Sequence, residues 1–275
     1  MNKKEIEDIE IHLLLEAISR RYGYDFRNYA QASMKRRIKH AVAHLECEGI
    51  TELTGRLLYD ESFFQDLVQK FSIPVTEMFR DPEVYRGLRK EVAPYLATYP
   101  FLKVWHAGCA TGEEAYSIAI LLKEEGLYNR TTIYATDFNE AALNTAKKGI
   151  YPIDRFKEYN ASYFESSGTR SLSEYYQAEY DSVIMSQTLK NNLTFARHNL
   201  VTDESFGEMH LILCRNVLIY FNQELQDRVL NLLSKSLIRG GFLCLGAKET
   251  LLGSSVQDQF AGFNKKLNIY RKKIE

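Results

Sequence analysis

Long apolar runs are missing from this chain. No window approaches the roughly 18 unbroken hydrophobic residues that a bilayer-spanning helix needs, so membrane insertion is not expected. Cysteine is sparse: Cys47, Cys109, Cys214 and Cys244 lie far apart and form no CxxC. That spacing argues against a disulfide scaffold or a metal site and reads as buried thiols in a reducing compartment. Proline is scarce as well, with five in 275 residues, and no low-complexity tract or internal repeat is present. Neither sign of charge dominates, since the formal net charge is −1. Non-specific attachment to DNA over the whole surface is therefore not indicated, and any basic function must be local. The opening segment MNKKEIEDIEIHLLLEAI is laced with acids and has no small-residue cleavage site, which argues against export. The expected location is the cytoplasm. Two nucleotide signatures, GxGxxG and GxxxxGKS/T, are also absent.

What is present begins with enough apolar material, 45% of residues, for one large or two modest domains. The chain is organised around Leu102 to Ser117, LKVWHAGCATGEEAYS. A short apolar run leads into Gly108 and Gly112, after which Tyr116, Ile118, Ala119, Leu121 and Leu122 repeat at helical spacing. This is strand, glycine turn, helix. The glycines let the backbone turn tightly and let a ligand approach the helix start. Glu113 and Glu114 would repel an anion there, so the turn suits a neutral or cationic ligand better than a pyrophosphate. A second strand-like run, TTIYA from Thr131, ends at Asp137. A carboxylate at that place can accept both hydroxyls of a ribose. Glycine turn and acid together, without either nucleotide signature, point to S-adenosylmethionine rather than NAD or ATP.

Ahead of this unit, Ile11, Leu14, Leu15 and Ile18 form one helical stripe, with Ile9 and Leu13 outside it, and Gly23 ends the helix. A second helix near Tyr29 onward carries Met34, Ile38, Ala41, Val42 and Leu45 on its apolar side and Lys35, Arg36, Arg37 and Lys39 on the other. Between Arg20 and Lys39 seven basic residues face one acid, Asp25. Such local charge on a rigid element suits docking to an acidic partner. Two more amphipathic stretches complete a small helical bundle over residues 1 to about 72. IPVTEMFRDP, bracketed by two prolines, follows as a connection placed to wall a ligand pocket. Downstream, Ser182 to Met185 and Leu193 to Ala196 read as small antiparallel strands or an insertion in the main sheet. Met209 to Leu213 reads as a buried parallel strand ending at Arg215 and Asn216, where open sheets place ligand chemistry. Gly240 and Gly241 are expected to turn the chain before a strand at Phe242 to Leu245.

GCATGEEAYS, ATDFNEAALNTAKKGIY and LILCRNVLIYFN, with VTEMFRDP upstream and the basic KRRI helix, resemble the CheR-type chemotaxis receptor glutamate O-methyltransferase family. The resemblance covers roughly residues 10 to 272. It implies an α/β fold: a Rossmann-like S-adenosylmethionine-dependent methyltransferase domain, with an N-terminal all-helical domain and a small inserted β-subdomain. The expected bounds are 1–72 for the helical domain, 73–90 for a linker and pocket wall, and 91–275 for the methyltransferase domain, with the insert at about 172–196. The implied activity is methyl-ester formation on glutamates of chemoreceptor cytoplasmic helices, giving S-adenosyl-L-homocysteine as co-product. Rival readings are a methyltransferase for another acceptor and a non-catalytic S-adenosylmethionine-binding signalling module.

Carried over by position, the resemblance implies that Thr76 and Arg80 wall the pocket and that Gly108 and Glu114 approach the methionine part. Asp137 would take the ribose hydroxyls, and Asn199 and Leu200 would lie beside the adenosine. Arg80, Arg215 and Tyr220 would serve catalysis near the methyl group and incoming carboxylate. Lys35, Arg36, Arg37 and Lys39 would meet the receptor's helical bundle, and an acidic or nucleotide ligand at this helix is a further expectation. No metal is expected. The chain departs from the family at Pro74, where asparagine is frequent, and at Gly108 and Cys109, where alanine and serine are. Its segment from Tyr176 to Leu193 looks short and lacks a glycine pair, which implies receptor recognition without a pentapeptide tether.

Overall fold

Capping decides where the first helix begins and ends. Asn2 accepts from the Glu5 amide while its own amide donates to the Glu5 carboxylate, and Gly23 closes the far end at φ 75°. In this computed structural model, which describes residues 1–71 and 76–274, α1 therefore spans Lys3–Tyr22. The helices α2 (Gln31–His44), α3 (Ile50–Tyr59) and α4 (Glu61–Phe71) follow. They bury Leu14, Ile18, Ile38, Leu53, Leu57, Phe64 and Leu67 in a common core. Ile6, Ile9 and Leu13, the apolar positions outside the main α1 stripe, stay exposed. Pro74 lies outside the described residues.

The chain divides into two compact units, Met1–Ile73 with Leu218–Val229, and Pro74–Val217 with Leu230–Glu275. The second opens with α5 (Pro82–Gly87), a π-helical turn at Leu88–Val92, and α6 (Ala93–Leu96). Then β1 (Leu102–Ala107), α7 (Glu113–Glu124), β2 (Thr131–Asp137) and α8 (Glu140–Lys148) alternate. Next come β3 (Ile150–Pro152), α9 (Phe156–Glu165), β4 (Tyr176–Glu179), β5 (Ser182–Met185), α10 (Gln187–Lys190) and β6 (Leu193–Arg197). The chain ends with β7 (Met209–Cys214), α11 (Gln223–Lys235), β8 (Leu237–Leu245), β9 (Phe260–Asn264) and β10 (Ile269–Lys272).

Seven strands form one sheet in the order β6-β2-β1-β7-β8-β10-β9. The first five are parallel, and β10 pairs antiparallel with both neighbours. From β1 the chain moves outward through β2 to β6 and then returns to the other side of β1 with β7. The ends of β1 and β7 thus flank the point where strand order reverses, the place where open α/β sheets bind ligands. Val104, Ile133, Leu211, Leu213 and Phe242 are buried in the core beneath α7 residues Ile118, Ala119 and Leu122.

Two expectations need correction. Leu193 to Ala196 does not belong to the insert: it pairs parallel with β2 as the main sheet's edge, Leu193 opposite Ile133 and Arg197 opposite Asp137. The small sheet is instead β3-β5-β4, antiparallel, and draws on residues from Ile150 onward. Short alternating runs carry no information on which partner they will find. Gly240 and Gly241 do not turn the chain before a strand; both lie inside β8, where the register against β7 shifts and Gly240 takes φ 77°. An irregularity of this kind is a glycine's other use in a strand.

Candidate functional site

Three segments deliver polar side chains to the C-terminal ends of β2, β1 and β7. The turn after β1 needs positive φ at Gly108 (78°), Ala110 (48°) and Gly112 (94°). A Cβ on Gly108 would lie 2.5 Å from Val217 Cγ2, and one on Gly112 would lie 2.7 Å from Ala146 Cβ, so close packing as well as conformation fixes these two residues. Asp137 ties this turn to the end of β2: its Oδ2 accepts from the Ala110 amide at 2.9 Å and its Oδ1 from the Asn139 amide at 2.9 Å. Burial pushes the Asp137 carboxyl up, against the pull of those amides and of His106. Each carboxylate oxygen has a second lone pair, so two hydroxyl donors can still be accepted.

Glu114, in the first turn of α7, is 4% exposed and gripped from two sides. Arg215 Nη1 donates to its Oε1, and His106 Nε2 stands 3.2 Å from its Oε2. Arg215 Nη2 in turn donates to Asp81 Oδ2 at 2.6 Å and to the Arg80 carbonyl at 3.1 Å. Burial raises the Glu114 carboxyl, but Arg215 and His106 outweigh it and bring it to about 2. Among the described residues Glu113 has no such ion pair. Burial dominates there, only partly offset by the Thr111 hydroxyl that donates at 2.6 Å, and holds the carboxyl at about 6. Phe79 and Asp81 both take φ 55° in the segment that brings the Arg80 carbonyl to Arg215. Asn216, at φ 60°, is held by Glu249, whose Oε2 accepts from the Asn216 and Gly246 amides at 3.0 and 2.6 Å.

The expected residues fall into three groups. Gly108, Glu114, Asp137 and Arg215 gather at the strand ends, with the Arg80 backbone joined to them; Thr76 is buried, 8% exposed, in the same unit. Asn199 and Leu200 follow β6 directly, where Asn199 Oδ1 accepts from the Val201 amide at 3.0 Å and the His198 amide donates to the Asp137 carbonyl at 3.1 Å. Tyr220 belongs to the first unit: its carbonyl accepts from the Ala30 amide at 2.8 Å, and Arg37 lies over its ring at 4.5 Å. Arg37 is therefore not part of an exposed basic face. It is 5% exposed, with its guanidinium directed at the Phe71 carbonyl and the Tyr220 ring. Lys35 pairs with Glu7 and Asp8, and Lys39 with Glu7, so α1 already balances part of the helix's charge, while Arg36 is exposed. Sequence reasoning missed Asp81, His106, Glu113 as a perturbed acid, and Glu249. Their signal is present only in hindsight: Asp81, His106 and Glu113 are polar residues near the end of a strand or the start of a helix, and Glu249 lies in the loop after β8.

The residues present fit a cationic nucleoside donor. Two buried acids at the start of α7 disfavour phosphate and favour positive charge, Asp137 retains acceptor capacity, and the buried His106 Nδ1 and Asn216 Oδ1 have no hydrogen-bond partner among the described residues. Among the described residues no group of His, Cys, Asp and Glu could hold a metal ion, and no helix is long and apolar enough to cross a membrane.

Comparison with known proteins gives a consistent result. Residues 74–267 match the family described as "CheR methyltransferase, SAM binding domain", and residues 9–72 match "CheR methyltransferase, all-alpha domain". A protein of Pseudomonas putida named "Putative methyltransferase Cher3" is 51% identical over 272 residues, covering 99% of this chain and all of that protein. A "Chemotaxis protein methyltransferase" of Listeria innocua is 31% identical over 90% of this chain and 93% of its own length. One of the same name from Borreliella burgdorferi is 28% identical over 89% of each.

Proposed function

Because this chain belongs to the CheR methyltransferase family, whose S-adenosylmethionine-binding domain spans residues 74–267, we propose that it methylates glutamate side chains on the cytoplasmic helices of a chemoreceptor. The observation that carries the reading is the pair of carboxylates, Asp137 at the end of β2 and Glu114 in the first turn of α7, which follows the neighbouring strand β1 at the sheet's switch point. The donor supplies an electrophilic methyl on a sulfonium. The acceptor carboxylate is already ionised at neutral pH, so no general base is needed. One of its oxygens attacks the methyl in line, a methyl ester forms, and the carbon–sulfur electron pair stays on the neutral thioether. Alignment then carries the rate, an effect worth about 7–11 kcal/mol in well-oriented reactions.

In this reading Asp137 takes the ribose hydroxyls, Glu114 and Gly108 border the methionine part, and Asn199 and Leu200 border the adenosine. Thr76 lines the wall. Arg215 has two acids and a carbonyl on its guanidinium, so its task is to hold Glu114 and the 79–81 segment in place. The incoming carboxylate is assigned to the Arg80 side chain, whose fork matches a carboxylate. The receptor docks on the first unit through Arg36, Lys35 and Lys39. Residues 1–72 act in docking, 73–90 in walling the pocket, and 91–275 in transfer.

The test is transfer of a labelled methyl from S-adenosylmethionine to a chemoreceptor cytoplasmic fragment, followed by mild alkali. Label released as methanol identifies glutamate esters. Alkali-stable label would replace the acceptor, and no label on several fragments would remove the receptor reading.

A further inference from the structure

One member of the polar group at the strand ends, His106, touches neither the donor nor the acceptor in this methyl transfer. Alternate residues of β1 share a face, and Leu102 and Val104 use theirs to enter the core. His106 is the third residue of that series and breaks the apolar pattern at the strand's C-terminal end. It is 2% exposed. An apolar residue would complete the series without desolvating a ring that carries two polar nitrogens. What surrounds it is acidic. Its Nε2 is 3.2 Å from Glu114 Oε2 on α7, and neither ring nitrogen has a hydrogen-bond partner among the described residues. On the other side it lies opposite Ala135 of β2, and Asp137, two residues further along that strand, shares the same face. Beyond Glu114 the row continues through Arg215 to Asp81. The groups follow one another in the order Asp137, His106, Glu114, Arg215 and Asp81, with Glu114 on α7 and Asp81 at the start of α5. His106 is the link between the acid assigned to the ribose and the acid and arginine pair at the other end.

We propose that His106 is a positioning residue that couples Glu114 to Asp137, so that the two carboxylates meet the donor as one prearranged site. The contact with Glu114 Oε2 complements the one Arg215 makes with Oε1, so each oxygen of the carboxylate has a nitrogen beside it. Without the imidazole, Glu114 keeps its arginine but turns about that contact, and the donor must fix it on binding. This inference rests on the donor reading of the site.

Two polar substitutions separate it from a merely structural role. His106→Gln carries an amide long enough to reach Glu114 Oε2, whereas the amide of His106→Asn stops near the position of Nδ1. Calorimetric titration of the full-length protein with S-adenosylhomocysteine reads donor-site affinity without any turnover. The expected result is near wild-type affinity for His106→Gln and about tenfold weaker binding for His106→Asn, about 1.4 kcal/mol. The Asn variant should also raise the donor KM by a larger factor than it lowers kcat. A cycle with Asp137→Ala should be non-additive, the second substitution costing less in the His106→Asn background. Equal affinities for the two variants at equal melting temperature, or an additive cycle, would overturn the proposal while leaving the donor site intact. Failure of the wild-type protein to bind S-adenosylhomocysteine would instead remove the donor reading, and this inference with it.

Discussion

Arg215→Met should unfold the protein's most concentrated charge arrangement from within. Glu114 is buried with Arg215 on one oxygen, and its carboxyl stands at about 2 instead of the ordinary 4.5. A displacement of that size corresponds to roughly 3 kcal/mol of stability at neutral pH. Removing one partner of a buried ion pair independently costs about 3–5 kcal/mol, because the surviving charge is left desolvated. Asp81 adds little to this figure, since its side chain is 37% exposed and can rehydrate. For a chain of this size a loss of about 3–5 kcal/mol lowers the melting temperature by about 5–9 °C. The sign with pH follows from the depressed carboxyl. The stabilisation is full above about 4.5 and is lost as pH falls toward about 2, so the gap between wild type and Arg215→Met should be widest near pH 7 and narrow in acid. Differential scanning calorimetry at pH 7 and pH 4 reads both. The double variant Glu114→Gln/Arg215→Met should be more stable than Arg215→Met alone, because no buried carboxylate is stranded. An Arg215→Met protein that melts with the wild type at pH 7 would refute the reasoning.

Three other outcomes are expected. Glu113 has the opposite bias: its carboxyl is held up at about 6, so the folded state binds a proton more tightly than the unfolded one and stability falls as pH rises from about 4.5 to about 6. Glu113→Gln should recover up to about 2 kcal/mol at pH 8 and flatten that dependence, as read from urea midpoints at pH 5 and pH 8. Gly112→Ala puts a Cβ 2.7 Å from Ala146 Cβ at φ 94°, and should cost about 1–3 kcal/mol in urea unfolding; a neutral result would show that α8 yields freely. Arg36→Glu should raise KM for a receptor cytoplasmic fragment several-fold at low salt, with the difference shrinking as ionic strength rises and donor affinity unchanged by calorimetry. A KM independent of this charge would move docking elsewhere.

The parts legible in the sequence were those governed by local chemistry. Gly108 and Gly112 announced a turn with positive φ, Asp137 an acid at a strand end, and the Ile11, Leu14, Leu15, Ile18 stripe a buried helix face. What sequence could not supply was partnership at long range. Leu193 to Ala196 reads the same whether it joins a hairpin or, as here, a parallel neighbour sixty residues earlier in the chain. Arg37 reads as one more cation on a basic helix, and only the fold reveals that it points at Phe71 and Tyr220, residues distant in sequence. His106 interrupts an apolar strand by a single residue, and its meaning depends on Glu114 turning back across the β1–α7 turn to meet it.

The helical unit is assembled from two separate pieces of chain, and that limits how the protein can be taken apart. Leu218–Val229 is threaded back to residues 1–73, with Phe221 bridging to Tyr29 and the Asn222 amide donating to the Asn28 carbonyl at 2.9 Å. A cut near residue 72 would leave Arg37 without the aromatic ring beneath it in one fragment, and would leave Tyr220 and Phe221 without their neighbours in the other. The N-terminal half does not inherit a whole core, whereas the core beneath the seven-stranded sheet stays within the other. The helical unit can be completed only after the chain has passed through β7, so a ribosome must release the eleventh helix before the first four have all their contacts. An N-terminal fragment used alone as a receptor-binding reagent should therefore carry residues 218–229 on a short linker.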